Sequence, residues 1–531
     1  RKIDGKYIKL YLTSLDENNN ETEVMEPKVY TTESTENTYT GRPANMMSLA
    51  KGTTSTSFST KYRLRMYVDE SYNPQGDGGN LAFSIKINAY GKTGNAMPET
   101  GPVAKVLLSG VGDNGVIDTT DSEQTFITGT NPNNYIWYSG KLWRAVSIDP
   151  SDNSVRLVTQ WNISAFPYNT KDNSAFKGSY MEQWLNDTSV DGFLGNLREP
   201  DKFIKTNSVW NATLTTATTK PEKTTMVTDA VGLLNIYEYT MSYKNASSST
   251  GYLNNGLRWW TLTPYDTSYV HNVSDRGGSL YDGSASSNGS RPSINLKSAV
   301  KIIDGDGTVN NPYRLQGDND SPTGALLSTR YSGEYIRFGT GENNLYRIVS
   351  HENGTGTKIT SAIPLKDNGS YKKLAFGSNV TFSKNNTIGT FLNGDYLTSG
   401  TYLTSDQVNM IEDNTTWYLG TVGDASYKLA KYQDATGSNL TTSTTTAKIG
   451  LLRIGELMAG QFDKAGNNAT YWTLTPRNTA YVSCVGSNGT AGMCMKQLSF
   501  GSRPSMNLKS NVIITGGKGT TREPFTIKLG S

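Results

Sequence analysis

Residues Lys6-Tyr-Ile-Lys-Leu-Tyr-Leu12 alternate, with Ile8, Leu10 and Leu12 on one face and Tyr7, Lys9 and Tyr11 on the other. That period of two predicts a half-buried strand. Glu23 to Tyr30 reads as a second strand, of edge type because it carries Pro27. Lys61–Val68 and Leu81–Tyr90 alternate in the same way, and Asn73 to Gly79 between them is turn chemistry. The pattern predicts a small antiparallel β-sandwich over residues 1–125, a candidate assembly domain. Gly91 to Asp121 reads as its trailing linker, with one short apolar piece at Val103–Leu108.

Beyond that point the pattern repeats. Trp259-Trp260-Thr-Leu-Thr-Pro264 and Arg291-Pro-Ser-Ile-Asn-Leu-Lys-Ser298 return as Tyr471-Trp472-Thr-Leu-Thr-Pro476 and Arg503-Pro-Ser-Met-Asn-Leu-Lys-Ser510. One offset of 212 residues carries Trp260 onto Trp472, Arg291 onto Arg503 and Pro312 onto Pro524, without a gap. A repeat of this length means a duplicated domain. We place the copies at 126–317 and 322–531, as units that fold separately. Each opens with a hairpin around a glycine-containing turn, Tyr135–Val146 and Tyr335–Val349, followed by a third strand at Val155–Val158 and Lys358–Ser361. Short helices are expected at Met181–Asn186 and Gly389–Asn393. The paired segments Val231–Tyr239 and Ile449–Leu457 have the apolar spacing of a further short amphipathic helix. The fold class is mainly β with short helices, α+β.

Composition narrows the class. Fifty Lys and Arg against 47 Asp and Glu, with no basic block, exclude the footprint of a nucleic-acid binder. No stretch approaches 18 apolar residues, so no membrane span is expected. The chain begins at Arg1 with no apolar leader, which fits a processed secreted protein or a trimmed chain. Cys484 and Cys494 flank the turn-rich Gly486-Ser-Asn-Gly-Thr490 and would face each other in a hairpin centred near Gly489. They form either a disulfide, which fits an oxidising exterior, or a pair of free thiols. The first copy has Asn272 and Asp282 there.

The segment KYRLRMYVDESYN…LAFSIKINAYGK resembles the TasA-like β-sandwich subunits of bacterial extracellular fibres. The pattern WWTLTP…RPSINLKSAV…GDGT…NPY resembles bacterial surface-protein domains related to the C-type-lectin-like and formylglycine-generating-enzyme fold. That resemblance implies a buried strand carrying Trp260 or Trp472, ended by Pro264 or Pro476 and pinned by Arg291 or Arg503. Each arginine stacks on its tryptophan or bonds to loop carbonyls; the functional alternative is an anion ligand. It also implies that the hairpin after the tryptophan strand lies on a ligand-binding face. There the copies differ: Tyr265 against Arg477, His271 against Ser483, Arg276 against Asn488, Tyr281 against Met493, Ser284 against Lys496. Tyr265, His271, Arg276, Tyr281, Arg477, Asn488 and Lys496 are the candidate ligand contacts, with unselected surface drift as the alternative.

No zinc-ligand spacing, lectin calcium triplet or nucleophile–histidine arrangement is present, so no enzyme, metal or cofactor is expected. The expectation is an extracellular bacterial surface or filament (pilin-like) subunit with adhesive lectin-like domains. It would polymerise by donating the strand carrying Ile8, Leu10 and Leu12 to the next molecule. The alternatives are that this strand belongs to its own sheet, and that the protein is a non-polymerising adhesin for a glycan or a cell-surface protein.

Overall fold

The computed structural model describes residues 3–35, 42–50, 59–73, 82–90, 100–318, 322–351, 356–419, 444–463 and 470–530. It is mainly β, with several sheets and a few short helices. The chain divides into two compact units, Arg1–Glu99 and Thr100–Ser531.

In the first unit the strand Ile8–Leu15 lies between Glu21–Val29 and Lys61–Val68, antiparallel to both. Its apolar face carries Ile8, Leu10 and Leu12, all buried together with Ile3 and Met25. The expected donor strand is therefore the centre of its own sheet, hydrogen-bonded on both sides. On the polar face Arg65 and Arg63 grip Glu21, and the hydrogen bonds from Arg65 take its pKa down to about 2. The expected strand at 81–90 does not form: residues 82–90 carry no strand, although Phe83 and Ile85 pack on the core. The expected turn at 73–79 lies almost entirely outside the described residues. Among the described residues one three-stranded sheet stands where a two-sheet sandwich was expected.

The second unit holds both repeats. In the first, the strands run in the order Val231–Gly232, Ser293–Leu296, Val155–Thr159, Lys141–Ile148, Tyr135–Tyr138, Tyr313–Leu315, Lys301–Asp304. The second repeats this with Ser505–Asn507, Thr357–Ser361, Leu345–His351 and Tyr335–Arg337. Single bridges continue it at either end, Gly450 with Ser505 and Ile336 with Phe525. Those bridges answer to the first-repeat pairs Gly232 with Ser293 and Ile136 with Tyr313. The duplication seen in sequence is thus a duplication of hydrogen-bonding order.

Three expectations change here. The boundary falls at 99/100 and not near 125, because Val103–Ser109 is an α-helix burying Val103, Ala104, Val106 and Leu107 in the first repeat's core. The helix expected in both copies forms at Ile236–Ser242 but not at 449–457. Asn235 and Glu238 close a capping box in the first copy, whereas Arg453 replaces the cap residue in the second and Gly455 adopts φ 84°. Finally, the repeats' cores are only partly separate: the second keeps a cluster of its own around Trp472, Ile359 and Met506, but lends another set of side chains to the first. Leu452, Ile454, Leu457, Met458, Ala459 and Tyr471 of the second pack in one cluster with Trp143, Trp184, Trp260 and Phe166 of the first.

Close backbone approach makes that joint. A Cβ on Gly460 would lie 1.8 Å from the carbonyl oxygen of Asn162, and one on Gly140 2.5 Å from that of Ser332. Only glycine fits at either place. Around them Trp137 stacks on Tyr335, Lys141 Nζ donates to Ser332 O at 2.8 Å, and Ser164 Oγ donates to Glu456 O at 2.8 Å.

Candidate functional site

The tryptophan strands, Trp259–Pro264 and Tyr471–Pro476, are buried along their whole length. Trp260 Nε1 donates to Phe166 O at 3.3 Å and Trp472 Nε1 to Leu374 O at 2.8 Å, so each indole ties its strand to a neighbouring one. Arg291 lies over the ring of Trp259 at 4.7 Å, not over Trp260, and Arg503 over Tyr471 at 5.0 Å, not over Trp472. The reason is the alternation of the strand: the residue before each tryptophan points to the opposite face, where the arginine lies. Both arginines donate Nε and Nη1 to backbone carbonyls, Arg291 to Thr159 and Leu253, Arg503 to Ser361 and Met458, while Nη2 of each is buried without a partner. Arg291 is 0% exposed and burial pulls its pKa down to about 9. Neither guanidinium reaches solvent, which removes the anion-ligand alternative.

The hairpin that follows brings some candidates together and separates others. In the first repeat Tyr265 stacks on Tyr281 with centroids 4.0 Å apart and planes 15° apart, and Tyr269 meets Tyr281 edge-on at 5.7 Å. His271 closes the cluster from below, edge to Tyr265 at 5.2 Å. It is buried, its Nε2 paired with Thr215 O at 2.8 Å, and burial holds its pKa below the ordinary value. His271 is a support for the tyrosines, not a ligand contact. Tyr281 is 49% and Tyr269 42% exposed, so the stack presents a fixed aromatic face. Arg276 is exposed in the Ser274–Gly278 turn at the far end of the hairpin, away from that face.

In the second repeat Arg477 is exposed, Met493 and Met495 replace the aromatic surface, and Lys496 Nζ donates to Thr479 O. Asn488 is no ligand contact. Its carbonyl accepts the backbone N–H of Arg258 at 2.7 Å, and its side chain caps its own turn at Thr490, so it belongs to the joint between repeats.

Cys484 and Cys494 are joined in a disulfide. They are not directly opposed: Cys484 pairs with Gly492 and Cys494 with Val482, so the bridge runs diagonally across the hairpin. The first repeat has the same diagonal, and there Asn272 Nδ2 donates to Asp282 Oδ2 at 3.1 Å. Asp282 also accepts from Asn288 at 2.8 Å.

A second site was missed from sequence. Arg156 pairs with Glu238 beneath Trp210, and Lys358 pairs with Glu456 beneath Trp417. Beside the second pair a small cleft is lined by Lys358, Thr415, Trp417, Arg453, Glu456 and Asn507. The signal was present: the aligned segments Val231–Tyr239 and Ile449–Leu457 each keep a glutamate at the same place, and the third strands each carry a cation. Among the described residues no cluster of His, Cys, Asp and Glu is arranged to hold a metal ion, and no helix is long and apolar enough to cross a membrane. No family model, curated protein or solved structure matches the chain.

Proposed function

We propose that this is an extracellular bacterial surface protein, an adhesin whose first repeat binds carbohydrate on the face formed by Tyr265, Tyr269 and Tyr281. The observation that carries this reading is the stacked, half-exposed tyrosine cluster, locked in place by a buried histidine. A fixed aromatic plane with phenolic hydroxyls at its rim offers an apolar face for sugar C–H groups and hydrogen bonds at its edge. Exposed apolar patches of this kind mark interaction surfaces. The lectin-like resemblance and the disulfide are in keeping with it. Filament growth by donation of Ile8–Leu15 is not part of the proposal, since that strand would have to leave the centre of its own sheet.

The test is a glycan array probed with the whole chain and with the Tyr269→Ala/Tyr281→Ala double variant. Binding that disappears in the variant while its circular dichroism is unchanged supports the reading. Absence of any bound glycan, or equal binding by the variant, overturns it and leaves a protein ligand as the alternative.

A further inference from the structure

In the second repeat Thr357–Ser361 and Ser505–Asn507 run antiparallel with Lys358 directly opposite Asn507. Directly opposed residues project to the same face, with Cβ atoms about 4.5–5.5 Å apart. Both are buried, as is the carboxylate of Glu456. Glu456 Oε1 lies 2.5 Å from Lys358 Nζ, and its other oxygen accepts the backbone N–H of Arg453 at 3.0 Å. The indole of Trp417 covers the amine at 5.0 Å. Asn507 Oδ1 has no hydrogen-bond partner, although the side chain is buried and lines the same cleft. A primary amine, a carboxylate in contact with it and a carboxamide whose oxygen lacks a partner are thus assembled in one screened site.

We propose that Lys358 and Asn507 become joined by an intramolecular isopeptide bond, with Glu456 as the catalytic residue that carries the protons. Glu456 takes a proton from the Lys358 ammonium, and the free amine attacks Cγ of Asn507, giving a tetrahedral centre. The Cγ–Nδ2 bond then breaks and the Nζ–Cγ amide remains. Of the three ammonium protons one stays on the new amide nitrogen. The other two pass by way of Glu456 to Nδ2, which leaves through the cleft as ammonium. No oxidant, reductant or cofactor enters the balance. Burial pushes the pKa of Glu456 up, but the charges of Lys358 and Arg453 and the hydrogen bond from Lys358 outweigh it and keep the group a carboxylate, the form that accepts a proton.

The first repeat has the same frame without the nucleophile. Arg156 stands opposite Asn295, contacts Glu238 and lies 4.5 Å from the ring of Trp210. It donates Nε to Asn295 Oδ1 at 3.0 Å, which satisfies the carboxamide oxygen that is left open in the second repeat.

The experiment is intact and peptide mass spectrometry of the reduced full chain. The expected result is a mass one ammonia below that of the sequence, with a branched peptide joining the segments around Lys358 and Asn507. Lys358→Arg copies the first repeat's own pair, and should restore the full mass while leaving the fold intact. Glu456→Gln should do so too. Cyclisation of an asparagine onto its own backbone also releases ammonia, but it joins no peptides and is indifferent to residue 358. A wild-type chain of full sequence mass, or a deficit that persists in Lys358→Arg, overturns the proposal. A bond still formed in Glu456→Gln overturns the assigned role of Glu456.

Discussion

The two repeats carry the same diagonal across the same hairpin, and close it by different chemistry. The first uses Asn272 to Asp282, a hydrogen bond within a small polar cluster that includes Asn288. The second uses the Cys484–Cys494 disulfide. Around the same strands both repeats keep one set of bonds: Thr261 Oγ1 to His271 O and Thr473 Oγ1 to Ser483 O, the arginines to their carbonyls, the indoles to theirs. Around the tryptophan strand the side chains that satisfy backbone groups are retained, because an unpaired buried carbonyl or N–H is costly whatever surrounds it. The pair that links one side chain to another across this hairpin is exchanged as a unit, since the new pair need only fit the old geometry.

The largest effect on this comparison comes from the shared framework. Trp260→Ala and Trp472→Ala should each destabilise the second unit by about 3–5 kcal/mol, the usual range for emptying a buried aromatic site. Because Leu452, Ile454 and Tyr471 pack in the cluster that holds Trp260, either substitution should shift one common unfolding transition in denaturant. Two separate transitions, only one of them moved, would show that the repeats fold independently after all.

How far the molecule could be read from its sequence follows the same division. Trp260, Arg291 and their counterparts were legible because their roles recur at one constant offset. The change of partner to Trp259 and Tyr471 was not, since periodicity alone does not say which face the arginine approaches. The shared cluster was hidden because Leu451-Leu452-Arg453-Ile454 has the spacing of a helix that would bury one face, whereas Leu451 stays in its own repeat's cluster and Leu452 and Ile454 fill the other repeat's. The pair Lys358–Glu456 spans 98 residues of sequence, so only the register of the folded sheet reveals it. The tyrosine face was legible as a set of differing positions, but the support role of His271 was not.

The next effect tests an asymmetry at the joint. Lys141 stands where the second repeat has Asn344, buried, with Nζ donating to Ser139 O at 3.0 Å and Ser332 O at 2.8 Å. Burial first, then the charge of Arg347, lower its pKa from 10.5 to about 7, against an opposing pull from Glu334. Between those values the folded chain binds fewer protons than the unfolded one, so stability rises with pH across the window. The full span is worth on the order of a few kcal/mol. Above it, buried tyrosines such as Tyr168, whose pKa burial raises, act in the opposite sense. Unfolding free energies in urea from about pH 7 to about pH 9, below the range in which buried Arg291 adds its own rise, should climb for the wild type and stay flat for Lys141→Met. An equal slope in the variant would place the titration elsewhere.

The disulfide should contribute about 2–3 kcal/mol, given its short loop. Cys484→Ala/Cys494→Ala is expected to lower the midpoint of the common transition by that amount, in the same way as reduction of the wild type. The converse change, Asn272→Cys/Asp282→Cys, should form a second bridge on oxidation, since the strand register is the same. Failure of that bridge to form would mean that the two diagonals are alike in register only.

The smallest effect asks what the polar diagonal is worth without covalent help. Asn272 is fully buried, and the hydrogen bond that its Nδ2 donates to Asp282 is a single contact. Removing it by Asn272→Ala leaves Asp282 with Asn288 at 2.8 Å and Arg258 at 3.4 Å, so its carboxylate is not stranded. The substitution also removes Asn272 Oδ1, a buried oxygen without a hydrogen-bond partner, which offsets part of the loss. The expected cost is about 1 kcal/mol, near the net value of one intramolecular hydrogen bond. A double-mutant cycle with Asp282→Ala isolates the pair, and its coupling should be about as small. A coupling that matches or exceeds the measured contribution of the disulfide would mean that the first repeat had lost nothing by lacking the bridge, and that the two solutions differ in chemistry but not in strength.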